Sequence, residues 1–485
     1  MRTKLFLSLF AFAHLWAVAM APQQPAVVIS QRIVGSATYI THVTVIDPEN
    51  SKEIQDRTVV ISGDRISEVR DSKGIKPPAG TKVVDGTGKY LIPGLWDMHV
   101  HAVVAERLDR MFPTFVANGV LGIRDMGTPM PLADIDQLRQ QIASGSRLGP
   151  RIVAAGPILD GRPKPLRPIF LAINTPDEGR ETVRRLKSGG VDFIKVYSQL
   201  SRDSFLAIAE EAKKQNISFA GHVPFSVSAL EASDAGQKSM EHLWGIYLSC
   251  SSREEELRSE MLKGGVNLPG SERIRLELDE AAASYDEHRA AKVFAHLAKN
   301  GTWVVPTFTA VLRDSEIFSA RVTTDPRLKY IPPAVQKQWT EVAAAGAAIK
   351  SKSYDRKLQV VGAIHRAGVP LLAGTDVGSV QPYVYAGFSL HDELALLVRA
   401  GLTPMESLQT ATINPARFLG IEKDLGSIEK GKVANLVLLD ADPFADIHNT
   451  TKISEVFQAG TELDRSALDR MLQNAEAAAN SAAAN

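Results

Sequence analysis

The chain has 485 residues, 44% hydrophobic and 23% charged, a balance that excludes a wholly disordered or collagen-like protein. Its 55 Lys+Arg match its 55 Asp+Glu, so no global basic field exists, which argues against a general nucleic-acid binder. The single cysteine, Cys250, excludes an intramolecular disulfide and a cysteine-rich zinc site.

The N-terminus reads as an export signal. Arg2 and Lys4 precede an apolar run from Leu5 to Met20, and Ala17-Val18-Ala19 and Ala19-Met20-Ala21 offer small-x-small cleavage patterns. The run is short for a membrane span, which takes about 20 apolar residues. Residues 1–21 are therefore assigned to a signal peptide, with an uncleaved anchor as the alternative. The expected location is secreted or periplasmic, in a bacterium, with no stable membrane insertion after cleavage.

Residues 22–92 are β-rich. Ala37–Asp47 and Thr58–Ser62 carry β-branched residues, Gly63-Asp64 suits a tight hairpin, and Val83–Asp85 reads as a further strand. No helix of useful length is expected before Pro93. From 93 to 419 short apolar runs alternate with helical patterns. Eight strand candidates follow: Leu95–His101, Val120–Asp125, Arg151–Gly156, Phe193–Tyr197, Ser218–His222, Ser239–Leu243, Trp303–Phe308 and Leu371–Asp376. Eight βα units in a row predict an α/β fold, a (β/α)8 TIM-type barrel. Two connections are oversized, Cys250 to Gly301 and Phe308 to Val369; they are expected either as lids over the active face or as helices packed outside. Residues 420–460 turn β-rich again around Val433–Asp440. Neither chain end buries a core alone, so both are expected to build one small β-sandwich. Residues 461–485 are a tail, frayed from Ala475 onward.

The chemistry begins at His99-Val100-His101. In a strand, residues i and i+2 share a face, so both imidazoles would point to the mouth of the barrel, an arrangement suited to a transition metal. Lys195 ends an apolar strand. Pointing inward, it must pair or lose its charge; an ordinary ion pair is one outcome, and a low-pKa amine open to carboxylation by carbon dioxide is the other. His222, His242 and Asp376 also fall at strand ends. Each alone reads as a satisfied core residue or a helix cap, but together they mark the active end of such a barrel.

These residues are where the chain resembles the amidohydrolase superfamily. The matching stretches are Leu91–Ala102, Phe193–Tyr197, Gly221–Pro224, Glu241–Leu243, Gly374–Val377, Asn414–Gly420 and Gly426–Asp440. The nearest branch is imidazolonepropionase-like and prolidase-like, which includes dipeptidases and ochratoxin-hydrolysing amidases. The resemblance implies two divalent metal ions, zinc first. His99, His101 and Asp376 would hold the more buried ion and His222 and His242 the more exposed one, with carboxylated Lys195 bridging both. It implies metal-activated hydroxide as nucleophile and Asp376 as the catalytic general base and acid. Tyr197 leads the candidates for substrate binding; Arg124 and Asp125 are expected either to touch the substrate, to support the site from behind, or to form an internal ion pair, and His391 and Thr309 are the lesser candidates.

The function so implied is a secreted binuclear hydrolase of an amide C–N bond in dipeptides or N-acyl amino acids. Its partner is a small carboxylate-bearing substrate, not nucleic acid, and a homo-oligomer is compatible. A cyclic amide or lactone would use the same site. A noncatalytic binding protein is the alternative of another class.

Overall fold

The computed structural model describes residues 37–161, 168–264, 272, 275–311, 324–346, 354–378 and 381–481. The export-signal expectation lies outside the described residues. Among the described residues no helix is long and apolar enough to cross a membrane.

Five strands precede the first helix: β1 (Thr38–Asp47), β2 (Lys52–Ser62), β3 (Arg65–Asp71), β4 (Lys82–Asp85) and β5 (Tyr90–Pro93). β2 and β3 form the expected hairpin, with Gly63 at φ 61 in its turn. β4 and β5 both run parallel to β1, pairing with successive halves of it. The C-terminal strands complete the same sheet: β15 (Leu436–Leu439), β16 (Ile453–Gln458) and β17 (Thr461–Leu463). The order is β17-β16-β15-β5-β1-β2-β3, with β4 beside β1, so both chain ends do meet in one eight-stranded sheet. Strand alternation explains why Val433–Asp440 is apolar throughout. Leu436 and Leu438 join a cluster with Ile40, Val59 and Phe457 on one face, while Val437 and Leu439 face the main core on the other.

The remaining strands are parallel and fall in two groups. β6 (Leu95–Val100), β7 (Val120–Asp125) and β8 (Arg151–Ala154) form a three-stranded sheet. β9 (Ile158–Asp160), β10 (Phe170–Ala172), β11 (Phe193–Val196), β12 (Ser218–Gly221), β13 (Ser239–Glu241) and β14 (Trp303–Val305) form a six-stranded one. β8 and β9 are successive parts of the third strand candidate and its continuation. They separate at Ala155-Gly156-Pro157, where Gly156 takes φ 68, so β8 pairs with β7 and β9 with β11. The β14 candidate ends three residues early: Pro306 lacks an N–H, and Phe308 opens a short helix, Phe308–Val311. The eighth candidate is bridged rather than regular. Leu371 pairs with Val304 of β14, and Val377 pairs with Val100 of β6. The Met98 N–H also donates to Ala373 O at 2.9 Å.

Helices cover the parallel strands. Pro176–Ser188 and Arg202–Lys214 each start at a hydroxyl cap, Thr175 and Ser201, and bury one apolar face. Both oversized connections are largely helical where described; one touches the loop after His222 and the other the segment after Asp376. Arg258, on the helix Glu254–Gly264, donates to Phe225 O at 3.0 Å. Trp339, on Pro333–Gly346, packs on Tyr383 and Tyr385, 5.3 and 5.8 Å between ring centres.

The C-terminal tail departs from expectation. Arg465–Ser481 is a helix, and Leu468, Met471, Ala475 and Ala479 are buried along one side of it. Those positions recur at helical spacing, and alanine is the strongest helix former, so a segment that reads as low-complexity is a docked amphipathic helix.

Candidate metal centre

The mouth of the parallel strands gathers four imidazoles, one lysine and one carboxylate. His99 leaves the end of β6, and His101 follows it. Lys195 lies on β11, His222 and His242 directly follow β12 and β13, and Asp376 belongs to the bridged segment. The ring centres of His99 and His242 are 4.5 Å apart, and those of His222 and His242 are 4.9 Å apart. The ligating atoms of His99, His101 and Asp376 all lie within 4.8 Å of one another.

Each histidine is oriented through Nδ1. His99 Nδ1 contacts Glu241 Oε2 at 2.7 Å, and His101 Nδ1 donates to Gly127 O at 2.9 Å. His222 Nδ1 meets Ser198 Oγ at 2.8 Å, and His242 Nδ1 meets Thr307 Oγ1 at 2.6 Å. Thr307 spends its own proton on Pro306 O at 2.8 Å, so His242 is the donor in that pair. Carboxylate and carbonyl partners only accept, so His99 and His101 also carry the proton on Nδ1.

The consequence is electrostatic. Nε2 of His99 and Nε2 of His101 each face Asp376 Oδ1 at 3.4 Å, and His99 Nε2 has no hydrogen-bond partner although it is buried. With Nδ1 protonated, each neutral ring turns a lone pair toward a carboxylate oxygen. That contact is repulsive unless a cation sits among the three atoms, so the donor set fits a divalent metal. Burial holds His99 well below its ordinary pKa and His242 down to about 4, so both offer neutral donors. Burial opposes ionisation of Asp376 as well, but His242, His101 and His99 outweigh it and hold the carboxyl far below the usual range.

Lys195 is 1% exposed, and among the described residues its Nζ makes neither a hydrogen bond nor an ion pair. The ordinary ion pair is therefore not what the structure shows. Burial pulls its pKa down to about 8, with Arg124 pushing the same way against Glu241 and Asp376.

The backbone is strained where it aims these groups. His242, Leu243, Thr307 and Asp376 hold φ of 60, 64, 48 and 60°, a region that β-carbon-bearing residues disfavour. Asp97, which the sequence reading passed over, steadies Asp376. It is fully buried, and its two oxygens accept from Thr375 N at 3.0 Å and Thr375 Oγ1 at 2.6 Å. Glu241 was missed too, although it stands beside His242; a glutamate ending an apolar strand is the signal that could have found it.

The substrate candidates divide. The Tyr197 ring stacks on His222 at 4.0 Å between centres and lies 6.0 Å from Lys195 Nζ, so it stands beside the centre. Trp244, not foreseen, lies 6.2 Å from His222. Arg124 takes the ion-pair alternative: it is fully buried, and its guanidinium is spent on Met98 O, Ser239 and Glu241. A fully buried arginine, here the fifth of the six residues of β7, needs such a countercharge to hold it. His391 is misplaced. Both its ring nitrogens are engaged, by Thr450 Oγ1 at 2.9 Å and Asn118 O at 3.1 Å, and Asn118 precedes β7, at the end opposite the mouth. Asp125 is spent on the amides of Ala102, Val103 and Gly127, and the Thr309 hydroxyl on Thr375 O.

Comparison with known proteins shows the family and the fold. An ochratoxinase of Aspergillus niger is 24% identical over 490 residues, covering 89% of this chain and 86% of that one. A crystal structure of a Xaa-Pro dipeptidase with bound methionine superposes with a TM-score of 0.64 at 22% identity, covering 88% of this chain and 100% of that one. The bottromycin amidohydrolase superposes with a TM-score of 0.72 at 23% identity, covering 91% and 90%. The profile of the Amidohydrolase family matches residues 90–463. The chain therefore belongs to the Amidohydrolase family and is a hydrolase of the kind that acts on carbon–nitrogen bonds.

Proposed function

We propose that this protein is a secreted binuclear metal hydrolase that cleaves the amide bond of dipeptides or N-acyl amino acids bearing a free carboxylate. The observation that carries the reading is Lys195, a buried amine with no ion-pair partner among four histidines and Asp376. A neutral amine adds to carbon dioxide, releasing one proton and leaving a carbamate. His99, His101 and Asp376 would hold one ion and His222 and His242 the other, with carboxylated Lys195 as a ligand shared by both. Zinc suits these nitrogen and oxygen donors.

When bound, the ions supply Lewis acidity toward the scissile carbonyl and a nucleophile from water at neutral pH. The chain's own residues do the rest. Asp376, ionised and fixed by Asp97 through Thr375, accepts the proton of the attacking water and returns it to the departing amine nitrogen. Tyr197, against His222, is placed to meet the substrate carboxylate. This reading takes the parallel strands as a (β/α)8 barrel flanked by a β-sandwich from both chain ends; the isolated bridges of segment 371–377 to β14 and β6 support it. Residues 1–21 serve as the export signal.

The test is turnover on a panel of dipeptides, N-acyl amino acids, cyclic amides and lactones, with zinc and bicarbonate supplied. Release of free amino acid, lost together in Lys195→Ala, His222→Ala and Asp376→Asn, is expected. Full activity in all three variants overturns the mechanism; turnover of the cyclic substrates alone overturns the substrate class.

A further inference from the structure

A charged chain of hydrogen bonds stands behind His99, while the ring nitrogens Nδ1 of His222 and His242 are met by hydroxyls. Arg124 donates from Nε to Met98 O at 2.6 Å, from Nη1 to Ser239 Oγ at 2.9 Å, and from Nη2 to the two oxygens of Glu241 at 3.0 and 3.2 Å. Ser239 Oγ donates in turn to Glu241 Oε1 at 2.6 Å. Oε1 is thus held by two donors, and Oε2 is turned to His99 Nδ1. Arg124, Ser239, Glu241 and His99 are all fully buried, so the carboxylate can neither rotate away nor be screened by water. His222 and His242 are held instead by the neutral hydroxyls of Ser198 and Thr307. A carboxylate behind an imidazole fixes its tautomer and raises the basicity of the far nitrogen; a hydroxyl fixes the tautomer but adds no charge.

Glu241 and His242 are consecutive, so in a regular strand they would point to opposite faces. The left-handed φ of 60° at His242 breaks that alternation. Glu241 stays in the interior behind His99, and His242 turns to the mouth.

We infer that Glu241 and Arg124 are positioning residues that make the His99/His101/Asp376 position the first and tighter of two metal positions. This rests on the two-metal reading above. That position has one carboxylate among its own ligands and a second transmitted through His99 Nδ1, whereas Nδ1 of His222 and Nδ1 of His242 meet hydroxyls.

The test is titration of Zn2+ into metal-free protein against a chromophoric chelator, which reads each dissociation constant without turnover. Wild type is expected to fill in two steps. Glu241→Gln is expected to weaken the first step about 10–100-fold, the usual effect of losing an outer partner of a ligating histidine, and to leave the second within threefold. Because Glu241→Gln strands the Arg124 cation, Arg124→Met/Glu241→Gln, which removes both charges, is titrated beside it and should show the same loss. Ser198→Ala should weaken the second step alone. With one equivalent of Co2+, the visible absorption should match between wild type and Ser198→Ala and differ in the double variant. An unchanged first step in the double variant, or equal weakening of both steps, overturns the inference. A single step in wild type overturns the two-metal reading instead, and the double variant's effect on that one ion still decides the role of Glu241.

Discussion

Glu393 offers the sharpest test of how burial governs this fold. It is fully buried on the helix Phe388–Arg399, and its two oxygens accept the Phe308 and Thr309 amides at 2.8 Å each, pinning the start of the segment after β14. Burial pushes its pKa from 4.5 up to about 8 in spite of those two amides. A raised carboxyl favours the protonated folded state, so its contribution is whole below about pH 4.5 and is lost as pH climbs toward 8. At 1.36 kcal/mol per pH unit the full span is on the order of 5 kcal/mol. Glu393→Gln abolishes that titration but turns an NH2 group against one of the two amides, a cost of about 1–3 kcal/mol at every pH. Urea midpoints of wild type and Glu393→Gln are therefore expected to cross: wild type is more stable at pH 4, the two draw level between about pH 5 and 7, and the variant leads at pH 8. Parallel curves from pH 4 to 9 would refute the buried titration, and equal stability at pH 4 would refute the two-amide geometry.

Asp376→Asn should keep the fold but lose about 10²–10⁴ in kcat on the best amide of the panel, because the amide side chain cannot take up a proton. Gly122→Ala should lower the Tm, since a β-carbon there would stand 2.3 Å from the Trp96 ring, an overpacking worth roughly 1–3 kcal/mol or more. Leu468→Ala, at a fully buried position of the C-terminal helix, should cost about 2–5 kcal/mol in chemical denaturation, where a frayed tail would cost nothing. His391→Ala should destabilise by about 1–3 kcal/mol and leave kcat/KM unchanged, since both its bonds lie at the end of the strands away from Asp376.

The clustered residues were legible in the sequence because chemistry and position coincide there. His99, His101, Lys195, His222, His242 and Asp376 each end an apolar run, and the structure brings all six together. What supports them was not legible. Asp97, Glu241 and Arg124 lie within such runs, and only the register of neighbouring strands shows that Arg124 meets Glu241 or that Asp97 meets Thr375. For Arg124 the sequence left a substrate contact and an internal ion pair both open, because the countercharge that decides between them, Glu241, lies on a strand far along the chain. The split between β8 and β9 depends on which neighbour each half reaches, so the third strand candidate read as continuous. The C-terminal helix was misjudged on composition, although its spacing of Leu468, Met471, Ala475 and Ala479 carried the answer.

The seam between β5 and β15 orders assembly in time. β5 is made early, yet Leu91 and Ile92 wait for Leu438 and Val437, which emerge only after every parallel strand has been synthesised. Until then β5 keeps an unpaired backbone edge beside apolar side chains, the condition under which strands recruit other chains. The early sheet must stay open, or be shielded, until the last tenth or so of the chain is free. A chain truncated before Leu436 would thus lose solubility before it lost any metal ligand, since His99 to Asp376 are all complete by then.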